Sequence, residues 1–309
     1  MSMDLAPRVR EVLKRVKNTV AQKQRAERKA QTEAMQQLLN WCDRHELETQ
    51  SWFGRSKVVF DQAVLARIEQ TLSELNLYSL DVDLADTSRL TQGQGADAEY
   101  KGMGLAPMER RVLIAQANCG SYFPEWVNES PSQWVMDIDW QTLQLSEFEY
   151  VLMVENRDMF YQYFALHPQY YTLPPEALAA LVIYRGDGLE SKGCKALREA
   201  CLAQGKPLVY FGDYDNAGLN FAVNGGYTHI LLPQHDHLFA RGNDISQDPK
   251  QVKLAPSVIA FGKQLPDSDP LKALLLYNAQ QQKGLRQQGF QGPLQLLAIH
   301  RSTDLCSDN

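Results

Sequence analysis

Apolar residues along this chain change rhythm near its middle. At the start, Val9, Val12, Leu13, Val16 and Val20 recur at helical spacing and form one apolar stripe. Residues 21–34 (AQKQRAERKAQTEA) keep helix propensity but lose the stripe, and Met35, Leu38, Leu39 and Trp41 restore it. One helix or two are therefore predicted over 7–42, with a polar middle that is a solvated spacer or a partner surface. A second amphipathic pattern covers 57–76, and the Gly-, Gln-, Asp- and Thr-rich stretch 85–104 reads as a loop. Two short apolar pieces follow, RVLIAQA (111–117) and WVMDIDW (134–140). The first half thus predicts an α+β region: a helical arm over 1–50, then a small α+β domain over 51–146, with a winged-helix type as one candidate.

In the second half strand-like runs alternate with helical ones. YVLMVEN (150–156), LAALVIYRG (178–186), PLVYFGDYD (207–215) and THILLPQ (228–234) are separated by DMFYQYFALH (158–167), SKGCKALREACLAQG (191–205) and AGLNFAVNGG (217–226). Such alternation indicates βαβ units. The unbroken apolar cores LVIY, LVYF and ILL suit parallel strands covered on both faces. An α/β domain with a parallel central sheet is expected over 147–309. Within it, 240–257 reads as a long loop and 270–289 as a closing helix opened by Pro270 and stopped near Gly289.

Charge sharpens this division. The chain carries a net −6 over 309 residues, yet residues 1–30 hold nine Lys/Arg against Asp4, Glu11 and Glu27, a local +6 that leaves −12 for the rest. A basic arm on an acidic body suits DNA contact through Arg25, Arg28 and Lys29, or docking on an acidic partner. No apolar run approaches the ~18 residues that span a bilayer, and no apolar signal core follows the basic start, so a cytoplasmic protein without membrane contact is expected. The five cysteines (Cys42, Cys119, Cys194, Cys201, Cys306) form no C-x-x-C pair, which argues against a disulfide framework or a zinc knuckle.

The candidate chemistry lies where the apolar strands end. Glu155 follows VLMV, Asp213 follows LVYFG, and Asp215 stands two residues on, before a helix. Ligand sites of open α/β sheets form at the carboxyl ends of strands, so these acids are expected to meet. Carboxylates sharing a cleft repel one another, and a hard divalent ion such as Mg²⁺ or Mn²⁺ resolves the conflict and supports phosphodiester chemistry. The bland alternative makes each acid a cap or strand-end residue, with Asp215 capping the helix near Ala217. Arg185 and Lys192 bracket the Gly186-Asp187-Gly188 loop and are candidates for holding a phosphate, with Asp187 as a further carboxylate. His235 and His237 form an H-x-H after a strand, where a polar loop is the favoured reading. Tyr78, Tyr100, Tyr122 and Tyr150 are the tyrosines weighed as covalent nucleophiles, and none sits in an Arg-rich motif. No G-x-x-x-x-G-K-[ST] phosphate loop is present, so any ATP hydrolysis belongs to a partner.

The succession VEN (154–156), YRGDG (184–188) and YFGDYDNAGL (210–219) resembles a Toprim domain, the fold shared by type IA and type II topoisomerases, bacterial primases and several nucleases. Over about 148–235 it is similar to the C-terminal domain of the JetD family, the nuclease subunit of Wadjet plasmid defence. The D-x-D is followed here by Asn216-Ala217-Gly218, where relatives often carry Pro or His before the glycine. The resemblance implies a metal-dependent DNA endonuclease subunit with Glu155, Asp213 and Asp215 as metal ligands. It also implies an SMC/condensin-like ATPase partner complex, a winged-helix-like domain before the Toprim, and a homodimer. The alternatives are a topoisomerase VI A-like strand-cleaving subunit and a DNA-binding scaffold subunit that does not cut.

Overall fold

The computed structural model describes residues 5–85, 87–96, 103–106, 108–117, 132–186 and 189–301. Asp187, Tyr100, Tyr122, Cys119 and Cys306 lie outside them. The chain divides into two compact units, 1–107 and 108–309.

The first unit contains α1 (Pro7–Lys23), β1 (Ala26–Lys29), α2 (Glu33–Arg44), β2 (Lys57–Phe60), α3 (Gln62–Glu74) and α4 (Arg89–Gly95). The apolar stripe foreseen at 9–20 is real: Val9, Leu13, Val16 and Val20 are buried, and they share a core with Leu38, Trp41, Phe60 and Ile68. The helical arm is corrected in one respect. Helix α1 stops at Gln24, whose φ of 62° places it in the left-handed region and whose N–H closes on the Val20 carbonyl at 2.7 Å. The polar stretch that follows is not a spacer helix but a short strand. β1 pairs antiparallel with β2, Ala26 opposite Phe60 and Lys29 opposite Lys57, and buries Ala26 beside Val58 and Phe60. Residues 5–50 of the expected arm are thus built into the core of the first unit and do not form a separate arm.

The second unit contains β3 (Arg111–Ala117), β4 (Gln133–Asp139), β5 (Val151–Val154), α5 (Arg157–Gln162), β6 (Tyr171–Thr172), α6 (Pro175–Leu178), β7 (Leu181–Tyr184), α7 (Lys192–Ala203), β8 (Leu208–Phe211), α8 (Asn216–Asn224), β9 (His229–Pro233), α9 (His235–Arg241), α10 (Pro249–Val252), α11 (Ala255–Gln264), α12 (Pro270–Gln281) and β10 (Gly292–Ala298). Its eight-stranded sheet runs β4-β3-β7-β5-β8-β9-β10-β6. The central β7, β5, β8 and β9 are mutually parallel, as the alternating pattern predicted, while β3, β4 and β10 add antiparallel pairs. Every residue of β5, β7 and β8 is buried, which is what strands covered on both faces require.

Three expectations are revised. The boundary placed at 146/147 falls at 107/108, because β3 pairs with β7 and carries β4 into the large sheet. Residues 51–146 therefore do not close into a small domain of their own. The loop expected over 240–257 is largely helical, with α10 and most of α11's first turn inside it, and the closing helix ends at Gln281 before a further strand, β10. No helix among the described residues is long and apolar enough to cross a membrane.

Candidate functional site

Strand β5 lies between β7 and β8, and Val154 is in register with both Tyr184 and Phe211. The next residue of each strand therefore leaves the sheet beside the others: Arg185, Glu155 and Gly212. The backbone is still zipped there, with Arg185 N–H on the Val154 carbonyl at 2.9 Å and Glu155 N–H on that of Phe211 at 2.8 Å. From β5 the chain goes to β7 on one side and then crosses to β8 on the other. The carboxyl end of β5 thus marks a topological switch point, where open α/β sheets part to form a crevice. A polar pocket of about 330 Å³ lies there, with Glu155, Asp213, Arg185, Arg157, Tyr184 and Gly186 among its lining residues.

Each predicted acid has its own setting. Glu155 Oε1 accepts from Arg185 Nη2 at 3.0 Å, and Oε2 accepts from the Tyr210 hydroxyl at 2.5 Å and from Asp213 N–H at 3.4 Å. Asp213 Oδ1 accepts from Gln287 N–H at 2.8 Å. Asp215 caps α8, taking Gly218 N–H on Oδ1 at 2.8 Å, and its Oδ2 accepts from Gln251 Nε2 at 2.7 Å. The turn between them is tight. A Cβ on Gly212 would stand 2.4 Å from Glu155 Oε2, so only glycine lets the glutamate lie over the backbone here.

Like charge and burial act together at these acids. Burial pushes the Asp213 carboxyl up to about 6; the Asp215 and Glu155 charges add to the rise, while Gln287 N–H and the Arg286 charge oppose it. Asp215 is also raised, by burial and then by Glu155, against the hydrogen bonds of Gly218, Ala217 and Gln251. The site therefore brings Glu155 and Asp213 into one pocket with Asp215 within electrostatic reach. Among the described residues, however, no three His, Cys, Asp or Glu side chains are drawn together tightly enough to form a ready ligand group. The donor chemistry fits a hard divalent cation: all three groups offer carboxylate oxygens, and their mutual repulsion is what such an ion relieves.

The other candidates separate clearly. Arg185 is buried, lies 4.9 Å from the centroid of the Phe221 ring and is committed to Glu155. Lys192 is exposed and pairs with Glu109 at 3.1 Å. Arg25, Arg28 and Lys29 stand on or beside β1 of the first unit, where Arg25 lies 3.6 Å from Glu27 and Arg28 donates to the Glu27 carbonyl. His235 and His237 are on helix α9, not on a strand, so their rings do not share a face; their Nε2 atoms meet the Pro270 and Gly289 carbonyls at 3.0 and 3.3 Å. Tyr150 stands at the opposite, amino end of β5 with its ring against His229, and the Tyr78 hydroxyl donates to carbonyls of α4.

Four contributors escaped the sequence reading. Tyr210 was legible in principle, since strand alternation puts it two residues before Gly212. Gln251, Arg286 and Gln287 come from segments far along the chain that carry no motif.

A family model described as a domain of unknown function, DUF7281, matches residues 110–288. That is more than half of the 309 residues, and the chain belongs to this family. No curated protein matches it.

Proposed function

We propose that this chain is a divalent-cation-dependent DNA endonuclease subunit and that its second unit is a Toprim-type domain. The observation that carries the reading is the meeting of Glu155 and Asp213 in one polar pocket at the carboxyl ends of adjacent parallel strands, with Asp215 two residues on. In this reading Glu155, Asp213 and Asp215 hold Mg²⁺ or Mn²⁺, which when bound supplies charge neutralisation and water activation for phosphodiester hydrolysis. The remaining work belongs to the chain itself. Arg185 and Tyr210 fix the orientation of Glu155, Gln287 and Gln251 fix the two aspartates, and Gly212 keeps the backbone close beneath them. By its resemblance to the JetD family the subunit acts as a homodimer with an SMC-like ATPase complex in the cytoplasm, against plasmid or foreign DNA, with Arg25, Arg28 and Lys29 as added phosphate contacts.

A second reading has its own observation. Both oxygens of Glu155 and both of Asp215 already accept hydrogen bonds within the protein, as they would in a DNA-binding scaffold subunit that no longer cuts. A tyrosine-linked, topoisomerase VI A-like mechanism finds less support, because Tyr210, which touches Glu155, is fully buried and burial holds its hydroxyl well above the usual range. Incubating supercoiled plasmid with the protein, Mg²⁺ or Mn²⁺ and its partner complex separates the three. Hydrolysis leaves protein-free ends and disappears in Asp213→Ala. Protein-linked ends indicate the tyrosine route, and an intact plasmid with the complete complex indicates the scaffold.

A further inference from the structure

The cations around the strand-end carboxylates are used in different ways. Arg185 is buried against Glu155, the Arg157 guanidinium lies 5.9 and 5.8 Å from the ring centroids of Tyr161 and Tyr184, and Lys283 is paired with Asp244. Arg286 differs from them. Its side chain is exposed, and among the described residues it has neither a hydrogen bond nor an ion pair.

Its backbone is nonetheless held on both sides. Leu285 and Tyr214 exchange two backbone hydrogen bonds, each of 2.9 Å, and Gln287 N–H donates to Asp213 Oδ1 at 2.8 Å. The Gln287 side chain adds a bond to the Phe211 carbonyl at 3.2 Å. Further back, buried Asn278 donates to the Lys283 carbonyl at 2.7 Å, and Asn243 pairs with Gly284. Residues 283–287 thus form a bracket fastened to the Asp213–Asp215 turn, with Arg286 between its two attachments to that turn. The charge of Arg286 reaches Asp213, where it opposes the rise of that carboxyl.

A long, exposed cationic side chain on a fixed support beside Asp213, with no hydrogen bond or ion pair among the described residues, can reach an external anion. The planar guanidinium fork matches a phosphodiester in two parallel hydrogen bonds, which an ammonium cannot reproduce. We propose that Arg286 is a phosphate anchor: it grips a backbone phosphate of a bound DNA strand and sets the register of that strand over Asp213. The inference rests on the endonuclease reading and adds to it a substrate contact that the sequence motifs do not contain.

The test is equilibrium binding of a labelled DNA duplex, and of the corresponding single strand, to the full chain in EDTA across a salt series. Arg286→Gln should weaken binding roughly tenfold at low salt and lower the slope of log affinity against log salt by about 1, the signature of one lost phosphate contact. Arg286→Lys should keep most of the slope while losing part of the affinity. Lys195→Gln, at an exposed position on α7, should change neither. The Mn²⁺-induced rise in melting temperature should be the same in Arg286→Gln and wild type. Equal salt slopes for wild type and Arg286→Gln overturn the anchor and leave the nuclease reading standing. Loss of the Mn²⁺ response in Arg286→Gln also overturns it, because the residue then serves the carboxylates and not DNA. Failure of the wild type to bind either DNA overturns both.

Discussion

In the first unit the basic residues of the chain's start meet acids. Arg8 pairs with Glu33, Lys14 with Asp83, Lys17 with Glu69 and Asp81, and Arg25 with Glu27. At the carboxyl end of the second unit's sheet the balance is reversed. Glu155 and Asp213 share one pocket with Asp215 within electrostatic reach, and among the described residues one buried guanidinium, that of Arg185, is paired with Glu155. Exposed pairs such as Arg8–Glu33 contribute about 0–1 kcal/mol each and can be rearranged at little cost. The second arrangement costs stability, since burial and neighbouring charge both disfavour the ionised Asp213. A cost of this kind at a topological switch point favours the proposed cation site. A surplus of charge in the sequence therefore says little until its partners are known: here at least five of the nine basic residues of 1–30 pair with acids, while Glu155, Asp213 and Asp215 lie within electrostatic reach of one another.

The sharpest way to break the contrast is to remove the support beneath the acids. Phe211 ends β8 fully buried, in ring contact with Tyr163, Tyr171 and Phe290. Phe211→Ala should cost about 3–5 kcal/mol in denaturant titration, and a loss below about 1 kcal/mol would show that the strand end is not rigidly held.

A smaller effect follows from the Asp213 carboxyl. With its folded pKa near 6 and an unfolded value of ~3.9, the folded state binds the proton more tightly. The stabilising contribution is complete below about pH 4 and is lost as pH rises through about 6. Asp213→Asn, which stays neutral, should therefore be more stable than wild type at pH 8 in EDTA, by about 2–3 kcal/mol, with the difference gone by pH 4. Thermal melts across that range check both sign and window, and a variant less stable than wild type at pH 8 would remove the claim of buried like-charge strain.

The smallest effect belongs to the first unit. Lys17→Ala, which removes pairs with Glu69 and Asp81 at 2.8 and 2.7 Å, should cost no more than about 1 kcal/mol and less at high salt. A larger, salt-independent loss would mean that these pairs hold the unit together.

How much of this was legible depended on where the information lay. The parallel core could be read because LVIY and LVYF are apolar without interruption, which only doubly covered strands demand. The three acids could be read because a strand end is fixed by the strand before it. β1 could not: AERK buries one alanine and owes its strand form to pairing with Val58 and Phe60 some thirty residues on. The join of β3 to β7 rests on two register pairs, Ile114 with Ile183 and Ala115 with Val182, so the unit boundary was misplaced. The settings of Gln251, Arg286 and Gln287 depend on tertiary contacts that no local spacing encodes.

The central claim is that Glu155, Asp213 and Asp215 form a divalent-cation site. Its most direct test is the melting temperature of the full chain at pH 8 as Mn²⁺ is titrated in, for wild type, Glu155→Gln and Asp213→Asn. A ligand that binds only the folded state stabilises it by about 2.7 kcal/mol at a hundred times its Kd. The account predicts a saturable rise in wild type that is lost in Asp213→Asn and weakened in Glu155→Gln. Indistinguishable Mn²⁺ responses in all three proteins would contradict it.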